Sequence, residues 1–156
     1  MGKTSSFFSR GFTLIELLIV IAVIGVLAAG VITLLNPLAQ IQKSRDAQRM
    51  SDLSQIQKAL EIYYSDFGAY PAANNNKIAG IDWGLSWSPY MGTLPGDPDS
   101  PTSHYAYCTS DSGQSYYLYA NLRRGGSVTT NKCGASTICG SGVQCNYGVS
   151  SPNVSP

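Results

Sequence analysis

Charge is scarce in this 156-residue chain: Lys, Arg, Asp and Glu make up 12% of it, against roughly 25% in a typical soluble protein. The net charge is +1 and there is no basic cluster, so a nucleic-acid backbone finds little to grip and no nucleic-acid partner is expected. Histidine is nearly absent too. His104 stands alone, with no acid close to it in sequence, and a serine or cysteine triad would have to be built around that one ring. The chain is therefore read as a non-enzyme with no cofactor. No Asp or Glu follows Asp111, so the last part of the chain offers no carboxylate cage. Asp97, Asp99 and Asp111 are read as loop acids facing water rather than as calcium ligands, and no metal site is assigned.

Cysteine is missing from the first two thirds; Cys108, Cys133, Cys139 and Cys145 all come later. An even, clustered set suits an oxidising compartment. The last three are each separated by five residues, wider than the spacing of about two to four at which structural zinc ligands usually pair. All four are candidates for two disulfides, and their three possible connectivities cannot be ranked from sequence.

The scarce charge is unevenly spread. Residues 1–35 hold Lys3, Arg10 and Glu16 alone, and Phe12 to Leu35 is an apolar run interrupted only by Glu16 among charged residues. As a helix that run would extend about 36 Å, enough to cross the hydrocarbon core of a bilayer. Asn36-Pro37 then predicts a kink, or a new helix with Asn36 as cap and Pro37 in its first turn. Beyond it, Leu38, Ile41, Leu53, Ile56, Leu60, Tyr63 and Phe67 recur at three-and-four spacing. This predicts an amphipathic helix closed by Gly68. Its first half, from Gln40 to Arg49, has few apolar residues and is expected to protrude or to contact other chains.

After Tyr70-Pro71, Asn74-Asn75-Asn76 and frequent Gly and Pro signal loops. His104–Cys108 and Tyr116–Leu122 read as strands, with Ser110-Asp111-Ser112-Gly113 as a hairpin turn between them. From Gly125 onward Lys132 is the only charge, and such a tail has little core to bury, leaving disulfides as the means of ordering it. Gly25, Ala29 and Gly30 are small residues that let helices approach closely in lipid, and residues 25–36 are a candidate for local unwinding.

Glu16 is the most informative residue. An ionised side chain near the centre of a membrane helix costs about 2.5 to 3.5 kcal/mol on insertion scales, and less near the end. Snorkelling toward the headgroups is one account. The other is pairing with a positive group of another subunit, and cutting between Gly11 and Phe12 would create such a group as a new terminal ammonium.

Arg10-Gly11-Phe12-Thr13-Leu14-Ile15-Glu16-Leu17 resembles the prepilin peptidase motif of type IV pilins and type II secretion pseudopilins. The resemblance implies a leader cut after Gly11, N-methylation of Phe12 and a role for Glu16 in assembly. Tyr63–Pro71, Leu94-Pro95-Gly96-Asp97-Pro98 and Tyr116–Leu122 are similar to the major pseudopilin pattern, whereas the cysteine-bearing tail resembles type IV pilins. The acidic calcium-binding loop of major pseudopilins has no counterpart after Asp111 and is not carried over.

The expected fold is α+β and pilin-like: a long N-terminal helix, its first half membrane-embedded, packed on a small antiparallel sheet with a disulfide-stapled C-terminal loop region. Residues 1–11 are expected to be a leader, 12–36 a transmembrane and assembly helix, 37–67 its amphipathic second half, and 68–156 a globular β region. The expected function is structural subunit of a type IV pilus or a type II secretion-like filament; the alternative is a membrane-anchored extracytoplasmic binding module that does not polymerise. Expected partners are prepilin peptidase, other copies and related subunits in a helical filament, and a membrane assembly platform. The expected place is the cytoplasmic membrane in a single pass, then a filament in the periplasm or on the cell surface.

Overall fold

The computed structural model describes residues 11–110, 112–126, 132–134 and 138–156, with residues 32–35 described by their backbone alone. It falls into two compact units divided between Gln40 and Ile41. In the first unit, helix α1 (Leu14–Leu35) opens at Thr13, whose extended backbone and side chain make it the N-cap. It closes at Asn36, which adopts the left-handed conformation with φ 40°. Asn36 also starts the next helix, because its side-chain oxygen accepts the Ala39 N–H at 3.3 Å and Pro37 fills the first helical position, where no donor is needed. Of the two outcomes open at Asn36-Pro37, the chain takes the new helix.

Helix α2 (Pro37–Phe67) is 31 residues long, about 46 Å at 1.5 Å per residue. Gly68 ends it with φ 69°, and the Gly68 N–H donates to the Tyr64 carbonyl at 2.8 Å. The buried face of α2 comprises Asp46, Arg49, Asp52, Leu53, Ile56, Ala59 and Leu60. The steps from 46 to 49, 53, 56 and 60 keep the same three-and-four rhythm throughout. The segment expected to protrude is thus anchored at Asp46 and Arg49, while Lys43 and Arg45 remain exposed.

Two short strands, β1 (Ala73–Asn74) and β2 (Lys77–Ile78), pair across Asn75 and Asn76. Both asparagines have positive φ, 50° and 59°, as a two-residue hairpin demands. The main sheet is antiparallel with order β3-β4-β5, where β3 is Ala106–Thr109, β4 is Tyr116–Ala120 and β5 is Tyr147–Ser150. Strands β3 and β4 lie where His104–Cys108 and Tyr116–Leu122 placed them. The third strand comes from the tail, whose composition promises little to pack.

Alternation along β4 divides the second unit into layers. Tyr116, Leu118 and Ala120 face α2 and pack with Leu53, Ile56, Leu60, Ile78, Leu94, Tyr105 and Tyr107. Tyr119 faces the other way, onto Ala106, Cys139 and Cys145. The tail therefore forms a third layer with a small core of its own, held by disulfides Cys108–Cys133 and Cys139–Cys145. Gly148 of β5 lies opposite Tyr119, where an added Cβ would stand 2.5 Å from the Tyr119 ring. Only glycine lets β5 close on β4 there.

Candidate functional site

Gly11, Phe12 and Glu16 meet at the start of α1. The Thr13 hydroxyl accepts the Glu16 N–H at 3.3 Å, and Glu16 Oε2 accepts the Thr13 N–H at 3.2 Å and the Thr13 hydroxyl at 3.0 Å. This reciprocal capping box satisfies donors that a helix start otherwise leaves bare. A carboxylate in the first turn also complements the positive end of the helix dipole. Oε2 takes all these bonds; among the described residues Oε1 takes none. Phe12 is 76% exposed, and among the described residues nothing lies within 4 Å of a Cβ built on Gly11. Lys3 and Arg10 of the expected leader lie outside the described residues.

From Leu14 to Val31 the helix is long and apolar enough to cross a membrane, and none of that window is buried within the chain. Leucine, isoleucine and valine side chains are exposed around it, which water does not tolerate over such an area but lipid or neighbouring helices do. Among the described residues nothing lies within 4 Å of a Cβ at Gly25 or Gly30.

A second cluster sits in the globular unit. Arg49 is fully buried and donates through Nε and Nη2 to the two carboxylate oxygens of Asp97 at 2.9 and 3.0 Å. It also donates through Nη2 to Asp99 at 2.7 Å and through Nη1 to Asp46 at 2.9 Å. Arg45 and Arg123 pair with Asp99 from outside. Asp46 in turn accepts the backbone N–H groups of Arg123 and Arg124 at 2.9 and 2.8 Å. Burial alone would lower the Arg49 pKa, but the hydrogen bonds and charges of Asp97 and Asp99 outweigh it and raise it. Burial likewise pushes Asp99 up, yet Arg49 wins and holds its carboxyl below the usual range. Asp52, which accepts the Tyr105 hydroxyl at 2.8 Å, is pushed up by burial and further by Asp97.

These contacts correct the reading of the loop acids. Asp97 and Asp99 neither face water nor wait for a cation, because a guanidinium already neutralises them; Asp111 lies outside the described residues. Asp46 and Arg49 escaped the sequence because charged side chains default to a solvated face. Their positions in the three-and-four stripe of α2 were the available signal. All four candidate cysteines are joined as described above.

The N-terminal arrangement has a counterpart in known proteins: residues 8–32 match the family model of the prokaryotic N-terminal methylation motif. The chain is 30% identical over 126 residues to the type II secretion system core protein G of Pseudomonas aeruginosa, covering 75% of this chain and 87% of that protein. The corresponding Escherichia coli protein is 30% identical over 113 residues, covering 63% and 77%. The type IV wide pilus major component PilA4 of Thermus thermophilus is 41% identical over 81 residues, covering 52% and 58%.

The chain belongs to the pilin and pseudopilin family. Members are structural proteins rather than enzymes, and this pilin-like chain is accordingly a filament subunit processed by prepilin peptidase. Its apolar N-terminal helix is the membrane-anchoring element. No solved structure matches the chain.

Proposed function

We propose that prepilin peptidase cuts this subunit between Gly11 and Phe12, that Phe12 is then N-methylated, and that Glu16 receives the Phe12 ammonium of a neighbouring subunit during assembly. The observation that carries this reading is Oε1 of Glu16, which takes no bond among the described residues. One oxygen of the carboxylate closes the helix start, and the other remains for a cation. In a low-dielectric surround an unpaired carboxylate is costly and a partner ammonium correspondingly attractive.

Before assembly the subunit spans the cytoplasmic membrane once through α1, with the second unit outside, where its disulfides can form. A membrane assembly platform then extracts it into a filament of the pilus or secretion type, alongside copies of itself and related subunits. Terminal sequencing of membrane-extracted protein and recovery of sheared filaments test this. Gly11→Val is expected to block cutting; Glu16→Ala is expected to insert and be cut after Gly11, yet enter filaments poorly. A mature terminus at Val31, behind the small residues Ala28-Ala29-Gly30 that a signal peptidase accepts, would instead mean an ordinary secreted protein. Normal polymerisation of Glu16→Ala would leave snorkelling as the account of that residue, and absence of the wild-type chain from filaments would favour an anchored binding module.

A further inference from the structure

Near the C-terminal end of α2 a pocket of about 250 Å³ is lined by Glu61, Tyr64, Tyr70, Gln114, Pro152 and Asn153. Its acidic member is held by neutral groups. The Tyr70 hydroxyl donates to Glu61 Oε1 and Oε2 at 3.2 and 3.0 Å, and the Tyr116 hydroxyl donates to Oε1 at 3.4 Å. Burial first, and Glu61 second, push the Tyr70 phenol well above its ordinary value, which keeps it a donor. Among the described residues no cation lies within ion-pair distance of Glu61.

The walls suit a cation as well. The Tyr64 and Tyr70 rings stand 4.6 Å apart with a 33° tilt, fixed by a Tyr64 hydroxyl bond to Gln114 at 2.8 Å. Gln114 is held in turn by the Gly68 carbonyl at 2.9 Å and by Asn153 at 3.0 Å. Aromatic faces around a carboxylate attract ammonium groups on aliphatic stems. The side chains are already bonded to one another, so little ordering cost attends binding.

We infer that this pocket receives the Lys43 ammonium of a second copy of the chain. Lys43 is exposed on the N-terminal half of the same helix, and among the described residues it pairs with no carboxylate. It lies 18 residues before Glu61, about 27 Å along the axis of α2. A growing filament is built from heterologous contacts, which join different surfaces of successive copies. Lys43 and Glu61 form such a complementary pair at different heights. Lys58 is exposed too, but it lies about 4.5 Å from the level of Glu61 and serves only copies at nearly equal height.

The inference rests on the filament reading, and carbodiimide coupling of sheared filaments tests it. A zero-length link between Lys43 and Glu61 cannot form within one straight helix, so a Lys43–Glu61 peptide found by mass analysis is intermolecular. It is expected in filaments and absent from dispersed subunits. Lys43→Gln and Glu61→Gln should each raise the concentration needed for assembly about tenfold, the size of one moderate contact. Together they should do no more than either alone, because both remove one interaction. Lys43→Arg should recover much of the loss, and Lys58→Gln should change nothing. Linkage of Glu61 to no lysine or to a different one overturns the pairing, as do additive effects of the two variants. Both outcomes leave the filament reading standing, whereas failure of the wild type to enter filaments brings down both.

Discussion

Arg49 and Asp97, 48 residues apart in sequence, form a two-pronged ion pair with both side chains fully buried. Through this contact the middle of α2 grips the loop before β3, and through Asp46 it grips the backbone just beyond β4. The fork of a guanidinium matches a carboxylate in a way that a lysine ammonium cannot.

Removing Arg49 should therefore be costly. Arg49→Ala leaves Asp97 and Asp46 buried without their cation, while Asp99 keeps Arg45 and Arg123, and the loss of a buried partner runs to about 3 to 5 kcal/mol. Denaturant unfolding of the full chain in detergent measures it. Arg49→Lys should recover only part, since the bidentate geometry is lost.

Calcium should not matter to stability. Among the described residues no group of three or more acidic, histidine or cysteine side chains is placed to hold a metal ion, and the acids nearest to such a role are occupied by Arg49. Because a ligand stabilises only a state that binds it, melting temperatures with added calcium and with chelator should coincide.

Acid should act on two carboxylates in opposite senses. Arg49 holds Asp99 below its ordinary value of 3.8, so its stabilising contribution is present above that value and lost as pH falls through the folded-state one. Asp52 is raised above 3.8, so the folded state favours its protonated form and stability falls as pH rises through the raised value. Asp52→Asn should accordingly stabilise the protein at pH 7, on the order of 1 kcal/mol. The side-chain amide carbonyl of that variant still accepts from Tyr105, and the gain should vanish below the unfolded-state value. Asp99→Asn should destabilise at pH 7 and converge with the wild type in strong acid. Urea titrations at stepped pH distinguish the two profiles.

The disulfides differ in the loops they close. Cys108–Cys133 spans 25 residues and Cys139–Cys145 spans six, for which chain entropy gives about 3.5 and 2.2 kcal/mol. Non-reducing peptide mapping should recover these two pairings. Serine replacement of the longer-range pair should lower the melting temperature more.

Thr13→Ala separates the two uses of Glu16. It removes the hydroxyl of the capping box, at about 1 kcal/mol of helix stability, while leaving the carboxylate in place. If Glu16 acts through a neighbouring ammonium, Thr13→Ala should enter filaments far better than Glu16→Ala in the same shearing assay.

Much of this was legible in the chain before its fold was known. The stripe Leu53, Ile56, Leu60 announced the packed face of α2, and the tyrosine-rich runs announced β3 and β4, because alternation and β-propensity are local signals. Tyr147-Gly148-Val149-Ser150 gave no such signal. It becomes a strand because Gly148 fits over the Tyr119 ring, a relation between residues 29 apart that no local pattern records. Arg49 was hidden for the opposite reason: its helical position was visible, but the acids that make its burial tolerable come from a loop and from another turn of α2. At the N-terminus the Gly11, Phe12 and Glu16 motif stood out at once, whereas the capping bonds between Thr13 and Glu16 needed coordinates.

Because β4 is the central strand and β5 follows it only after a connection of 26 residues, the sheet is completed late in the making of the chain. Once Ala120 has emerged, one edge of β4 stands open, with its backbone donors and acceptors in search of a partner. It stays open until Ser150 has emerged, and any extended segment met in that interval competes for the place. The late closure makes the newly made subunit, rather than the folded one, the form most exposed to mispairing with its own kind.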